Sequence, residues 1–114
     1  MHPQQVPTIG VADVPDDAKV LDVREDDEWA AGHIAGAVHV PMFSVPQRVA
    51  YAPDDFGGPA PLVVVCRVGS RSAQVTAWLN RNGIEAVNLD GGMVAWASAR
   101  RPMTSETGAP PHVA

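Results

Sequence analysis

The segment PLVVVC, residues 61–66, contains five consecutive apolar residues, the last of which is the only cysteine of the chain. Such a run without polar alternation is typical of a central strand in a parallel sheet that is covered on both faces. A buried piece of helix has the same pattern, so periodicity alone leaves both interpretations open. The residues that follow, RVGSRS at 67–72, contain a glycine and two serines and predict a turn that leads into a helix.

Apolar and amphipathic segments alternate along the rest of the chain. Three further segments have the composition of short buried strands: KVLDV at 19–23, AVHVP at 37–41 and AVNL at 86–89. Four segments have the pattern of helices: EDDEWAAG at 25–32, VPQRVAY at 45–51, SAQVTAWLNRNG at 72–83 and residues 92–99. Strands that alternate with helices predict an α/β fold with a parallel sheet and right-handed crossovers.

The length of 114 residues fits one domain with a single core. Both ends are rich in proline and small polar residues, so we predict a flexible N-terminal segment at 1–7, a domain at 8–101 and a flexible C-terminal tail at 102–114. The 8 Lys+Arg against 13 Asp+Glu give a net charge of -5, which argues against nucleic acid or a membrane surface as a partner.

The number and spacing of the cysteine and histidine residues indicate which cellular compartment and which cofactors to expect. A single cysteine cannot form a disulfide within the chain, and no secretory leader opens the sequence, so we expect a cytoplasmic protein. No apolar run approaches the roughly 20 residues that cross a bilayer. The four histidines have no ligand spacing with Cys66, so we expect no metal site and no cofactor.

Cys66 lies where the predicted central strand passes into a helix, and sites in open α/β sheets form at such strand ends. The glycine and serines allow the backbone N–H groups of residues 67–72 to turn inward around an anion. The helix N-terminus, with Arg67 and Arg71, is expected to lower the pKa of the Cys66 thiol and make it a nucleophile. The simpler alternative is an interaction domain in which Cys66 is an inert buried hydrophobe and the arginines form a solvated pair.

The loop CRVGSRS, residues 66–72, resembles the active-site loop of rhodanese-like sulfurtransferases. Three other segments are similar to motifs of that family and follow in the same order: LDVRE at 21–25, EWAAGHIAGAVHVP at 28–41 and NLDGGMVAW at 88–96. The resemblance covers about residues 8–100. It implies a central parallel sheet of about five strands flanked by helices on both faces, which agrees with the alternation of elements.

The resemblance also implies the chemistry of the site. Cys66 would be the catalytic nucleophile that attacks the outer sulfur of a small anionic donor such as thiosulfate and carries it as a persulfide. The donor and the persulfide would be bound by the rest of the loop: Arg67, Val68, Gly69, Ser70, Arg71 and Ser72. The acceptor would be a thiol, cyanide or a protein. The alternative is a persulfide relay or binding module that serves protein partners and turns over small donors little.

The composition of the loop bears on its substrate. The spacing from Cys66 to Arg71 is C-x4-R, one residue shorter than the C-x5-R loop of phosphatases, so the ring is expected to be too tight for a phosphoryl group. Two cationic residues favour thiosulfate or a related anion, because mercaptopyruvate users of the family tend to have small neutral residues there. Val68 occupies a position that is often small and polar, which keeps a persulfide or a protein-bound donor as an alternative.

Several other residues have a structural explanation. Asp22 and Arg24 end a predicted strand at the same sheet edge, and we expect an ion pair between Arg24 and Glu28 rather than a catalytic role. His33 is expected to hold its loop through a hydrogen bond and not to act as an acid or base. Each tryptophan lies in a helical pattern and is assigned to the core: Trp29, Trp78 and Trp96.

Overall fold

The computed structural model describes residues 6–114, so that most of the predicted flexible segment 1–7 lies outside the described residues. The strands in this part of the chain are β1 (Thr8–Ile9), β2 (Val20–Asp22), β3 (Val38–His39), β4 (Leu62–Val65) and β5 (Ala86–Leu89). The α-helices are α1 (Asp26–Ala31), α2 (Val45–Tyr51), α3 (Ser70–Arg81) and α4 (Gly92–Ser98). Short 3₁₀ turns lie at Val11–Asp13, Met42–Ser44 and Pro53–Phe56.

The strands form one parallel sheet in the order β1-β5-β4-β2-β3. This confirms the predicted α/β fold and places β4 in the middle of the sheet. Inspection of the residues did not identify β1, because it is two residues long and has no apolar run. It is held by its pairing with Asn88 and Leu89 of β5.

The apolar run in β4 is explained by two cores, one on each face of the sheet, where the length of the chain had predicted a single core. Leu62 and Val64 pack into the core that includes α2 and α3 side chains. Val63 and Val65 pack into the core that includes α4 side chains. Every residue of β4 is buried, so the strand has no polar face. The segment is a central strand, and the helix alternative is wrong.

A buried ion pair lies at the carboxyl end of β2. Arg24 Nη2 is 2.8 Å from Asp22 Oδ2, and both side chains are fully buried. The same nitrogen donates to Gly32 O at 2.7 Å, which ties the end of β2 to the segment after α1. The predicted ion pair between Arg24 and Glu28 is wrong, because Arg24 turns into the protein, where a buried cation needs a buried carboxylate.

The C-terminal segment 102–114 packs beside α1 and α4 in the structure. Thr104 and His33 exchange two backbone hydrogen bonds of 2.8 Å each. Met103 and Val113 pack against the core that contains α4 side chains. These contacts were not visible in a proline-rich sequence, because backbone pairing and two apolar side chains give little signal. The flexibility of this segment stays a prediction.

His33 is buried and stacks on an aromatic neighbour. Its ring lies 3.5 Å from the Trp29 ring, and its Nδ1 lies 2.9 Å from Trp29 O. This geometry agrees with the expected structural role. Trp96 lies in the core as predicted, and Trp78 is half-buried and packs against the core that includes α2 and α3 side chains. The core assignment of Trp29 is wrong, because its half-buried ring stacks on His33 and His39 instead.

Candidate active site

Cys66 follows β4 directly, at the carboxyl edge of the sheet, where β2 and β5 end on either side of it. The residue is 0% exposed. The next three residues form a loop, and α3 begins at Ser70, two residues earlier than predicted. The structure therefore brings the whole predicted site segment, 66–72, to one place at the strand end and the first turn of α3.

Two hydrogen-bond donors lie against the sulfur atom. Gly69 N–H donates to Cys66 Sγ at 3.0 Å, and the Ser72 hydroxyl lies 3.2 Å from Sγ. Gly69 has a φ of 111°, a left-handed conformation that glycine adopts without strain. This conformation turns the chain back over Cys66, so that an N–H group faces the sulfur.

The pKa of the Cys66 thiol lies below its ordinary value, although the causes act in opposite directions. Burial raises the pKa, because the charged form loses water. The Ser72 hydroxyl and the backbone N–H groups of Ser72, Gly69 and Val68 lower the pKa and outweigh burial. The predicted direction agrees with the structure, but the main cause is this set of hydrogen bonds rather than the arginines.

The first turn of α4 binds the carbonyl groups of the loop. Met93 N–H donates to Cys66 O at 2.8 Å, and Val94 N–H donates to Arg67 O at 3.1 Å. Gly92 permits this close approach, since a Cβ atom there would collide with the backbone of Cys66 and Arg67. With these carbonyls bound by α4, the N–H groups of the loop are left to face the sulfur.

Asn88, in β5, contacts the site and was not identified from the sequence. The residue is 7% exposed. Its Oδ1 lies 2.5 Å from Ser72 Oγ, and its Nδ2 donates to Gly69 O at 3.2 Å. Asn88 therefore touches both residues that donate to the sulfur. The available signal was a polar side chain inside a buried strand, because such a side chain needs a buried partner.

Arg71 is held by Glu28 of α1, a pairing that the sequence analysis missed. Two hydrogen bonds of 2.8 and 2.9 Å join the guanidinium to both carboxylate oxygens. These bonds lower the pKa of Glu28 to about 2, against burial, which raises it; the Glu25 N–H lowers it further. Because the folded pKa is below the usual 4.5, the pair stabilises the fold above that pH, and this contribution is lost as the pH falls towards 2.

The two arginines of the loop differ in their surroundings. The Arg71 side chain is 32% exposed and engaged by Glu28. Arg67 is exposed, and its Nε donates to Ala114 O at 3.1 Å. The rim of the site thus combines a guanidinium neutralised by a carboxylate with one that faces solvent. The roles of both side chains in donor binding stay predictions.

An apolar groove of about 690 Å³ lies beside the loop, between α3 and the segment that leads into α2. Its apolar lining includes Met42, Phe43, Val45, Pro46, Val75 and Trp78. Ser70 belongs to both the loop and the groove. Phe43 is 90% exposed, and Val68 on the rim of the loop is 53% exposed. The sulfur site therefore lies at one end of an apolar surface.

Two further observations concern residues 6–114 only. No group of three or more His, Cys, Asp or Glu side chains in this range is placed to hold a metal ion. No helix in the same range is long and apolar enough to cross a bilayer.

The fold and the loop define a class of domain: an α/β sheet whose central parallel strand ends in a buried cysteine, followed by an amide-lined turn and a helix. A family model described as "Rhodanese-like domain" matches residues 11–99. The chain belongs to the rhodanese-like domain family, which confirms the resemblance drawn from the four sequence motifs.

Two relatives and one solved structure agree with this family assignment. The chain is 39% identical over 89 residues to "Thiosulfate sulfurtransferase GlpE" of Pseudomonas aeruginosa, covering 77% of each chain. It is 36% identical over 94 residues to "Sulfurtransferase" of Allochromatium vinosum, covering 82% of this chain and 84% of the relative. A solved rhodanese-related protein of Thermoplasma volcanium is 26% identical with a TM-score of 0.73, covering 87% of this chain and 98% of that chain.

Removal of the Ser72 hydroxyl tests the origin of the thiol acidity. Ser72→Ala is expected to raise the pH midpoint of the alkylation of Cys66 by iodoacetamide by about 0.5 to 1 unit, and to slow the reaction about two- to fourfold well below the wild-type midpoint, because a hydrogen bond to the charged form is lost. Ser98→Ala is the control, since Ser98 lies exposed at the end of α4, outside the loop and the groove. Rates measured across pH should be unchanged for the control. An unchanged profile in Ser72→Ala would contradict the role given to this hydroxyl.

Proposed function

We propose that the protein is a sulfurtransferase that moves sulfane sulfur from thiosulfate, or a related anionic donor, to a thiophilic acceptor through a persulfide on Cys66. The observation that carries the proposal is the set of N–H and O–H donors around a cysteine sulfur whose pKa is lowered. The GlpE relatives support the donor, because they are named thiosulfate sulfurtransferases.

In the first step, the Cys66 thiolate attacks the outer sulfur of thiosulfate. A bond forms between Sγ and that sulfur, the sulfur–sulfur bond of thiosulfate breaks, and sulfite leaves with the bonding electron pair. Cys66 then carries a persulfide whose terminal sulfur is negatively charged. No general base is needed, because the loop favours the thiolate before the donor arrives.

The loop supports this step through its backbone and its hydroxyl group. The N–H groups of Val68, Gly69 and Ser72 stabilise negative charge on sulfur without a net cation, as prearranged dipoles do in a buried site. Arg67 faces solvent and is the better placed of the two arginines to attract an anionic donor, since Arg71 is engaged by Glu28.

In the second step, the acceptor attacks the terminal sulfur of the persulfide. With cyanide, a carbon–sulfur bond forms, the sulfur–sulfur bond breaks, and Cys66 returns as the thiolate while thiocyanate leaves. A thiol acceptor removes the sulfur in the same way. Because the chain has one cysteine, the acceptor must be another molecule.

A protein that works through a free thiol fits a reducing compartment, which supports a cytoplasmic location.

A persulfide relay to a protein acceptor is the second candidate function. The groove beside the loop favours it, because an apolar surface with an exposed aromatic side chain is suited to a protein partner more than to cyanide. The partner's thiol would reach the persulfide past Val68 and Ser70. Both candidates use the same Cys66 persulfide and differ in the acceptor.

Exposure of the protein to thiosulfate tests the enzymatic proposal. Wild type is expected to release about one sulfite per chain in a single turnover and to gain the mass of one sulfur atom, about 32 Da, in intact-mass spectra. The added mass should disappear on addition of cyanide. Cys66→Ser should show neither change. A wild-type protein that releases no sulfite and gains no mass would rule out the proposal.

A substitution in the groove distinguishes the two candidate functions, which differ in the acceptor. Phe43→Ser is expected to leave loading by thiosulfate unchanged within about twofold but to slow discharge to reduced thioredoxin several-fold, because an exposed aromatic contact is lost. Discharge to glutathione should be unaffected. Tyr51→Ser is the control, since Tyr51 is 68% exposed and is absent from the groove lining. Equal rates for wild type and Phe43→Ser with the protein thiol would contradict the relay.

A further inference from the structure

The Ser72 hydroxyl has one proton and two acceptors. Its oxygen lies 2.5 Å from Asn88 Oδ1 and 3.2 Å from Cys66 Sγ. A serine hydroxyl can donate only one hydrogen bond at a time. The two acceptors therefore compete, and the outcome depends on the charge of the sulfur.

The orientation of the Asn88 amide follows from its other contact. Gly69 O can only accept a hydrogen bond, so the amide atom that faces it at 3.2 Å must be the donor Nδ2. Oδ1 then faces Ser72 and can only accept. This arrangement is buried, which makes loss of either bond costly.

We propose that Asn88 is a positioning residue for sulfur transfer: its Oδ1 accepts the hydrogen bond of the Ser72 hydroxyl while Sγ is neutral, and the hydroxyl donates to Sγ instead when Sγ is an anion. A neutral thiol or a persulfide Sγ is a weak acceptor, so the hydroxyl donates to Oδ1 in both of these states. A thiolate is a strong acceptor and takes the bond. The hydroxyl rotates between two partners and no covalent bond changes.

The competition affects both steps of the proposed reaction, and the role of Asn88 as a positioning residue rests on that proposed function. Thiolate formation must break the bond from Ser72 to Asn88, so the amide holds the thiol less acidic than the same loop without it. A thiol of higher pKa is the better nucleophile towards the donor, whereas a thiol of lower pKa is the better leaving group towards the acceptor. Asn88 therefore balances loading against discharge.

The geometry allows the Asn88 side chain to be removed without leaving Gly69 O unpaired, because Ala73 N–H also donates to that oxygen at 3.1 Å. The elements beside Cys66 carry these charged groups: Arg67, the Arg71–Glu28 pair, the Asp22–Arg24 pair on neighbouring β2, and Asp90 directly after β5. Within residues 6–114, the side-chain hydrogen bonds of these groups involve neither Ser72 nor Asn88. A change at Asn88 therefore leaves these charges in place.

The test is a double-mutant cycle read by iodoacetamide alkylation of Cys66 as a function of pH, with no sulfur donor present. Asn88→Leu is expected to lower the pH midpoint of alkylation by about 0.5 to 1 unit, because Ser72 then has the sulfur as its acceptor; well below the midpoint the rate rises about two- to fourfold, since a thiolate of lower pKa is also a weaker nucleophile. In the Ser72→Ala background the same substitution should shift the midpoint by less than about 0.2 unit.

Each other outcome overturns the proposal. An unchanged or slower rate in Asn88→Leu does so, and so does an acceleration that persists when Ser72 is alanine, since Asn88 would then act through general packing. Asn88→Asp keeps the shape and the acceptor and adds a negative charge, so it should slow alkylation. If Asn88→Leu shows no cooperative thermal unfolding, the alkylation rate of Asn88→Asp is used instead. An unchanged or faster rate in Asn88→Asp then overturns the proposal.

This test is separate from that of the proposed function. A protein that fails to release sulfite from thiosulfate can still show the predicted alkylation cycle, which would leave the Asn88 inference intact. Conversely, normal persulfide formation with no effect of Asn88 on alkylation would remove Asn88 from the account and leave the sulfurtransferase proposal unchanged.

Discussion

Hydrogen-bond donation to a buried sulfur atom is the interaction on which the rest of the site depends. A buried thiolate without such donors would be strongly disfavoured, because it loses hydration and gains nothing in exchange. The fold supplies the donors through backbone geometry: β4 delivers Cys66 to the sheet edge, Gly69 turns the chain back, and the first turn of α4 binds the carbonyls of Cys66 and Arg67. The segment from β4 to Gly69 and the first turn of α4, which lies beyond β5 in the sequence, therefore shape the surroundings of this sulfur together.

The site stabilises the anion mainly with dipoles rather than with net positive charge. Glu28 neutralises Arg71, and the chain as a whole is acidic with a net charge of -5. In the proposed reaction the sulfur alternates between an anion and a neutral persulfide atom. Hydroxyl and amide groups can follow that change by reorienting, whereas an unpaired buried cation cannot. In the same proposal, Arg67, exposed on the rim, would attract the donor before it reaches the loop.

The main features of the fold were predictable because they depend on local patterns. The apolar run 61–66 predicted a central strand, and the glycine and serines of 67–72 predicted the turn around Cys66. The contacts that refine the site were not predictable, because they join residues far apart in the chain. Glu28 reaches Arg71 across 43 residues, and Asn88 reaches Ser72 across 16. Strand β1 was not predicted, because it has no apolar run of its own and is a strand only through its pairing with β5.

The most direct test of this account is a titration of the wild-type thiol by its thiolate absorbance near 240 nm, with Cys66→Ser as the blank. Because Cys66 is the only cysteine, the difference spectrum reports that sulfur alone. The account predicts a midpoint below the value of about 8.5 for a free cysteine. A midpoint at or above that value would show that burial dominates, and it would contradict the claim that the hydrogen bonds of the loop lower the pKa of Cys66.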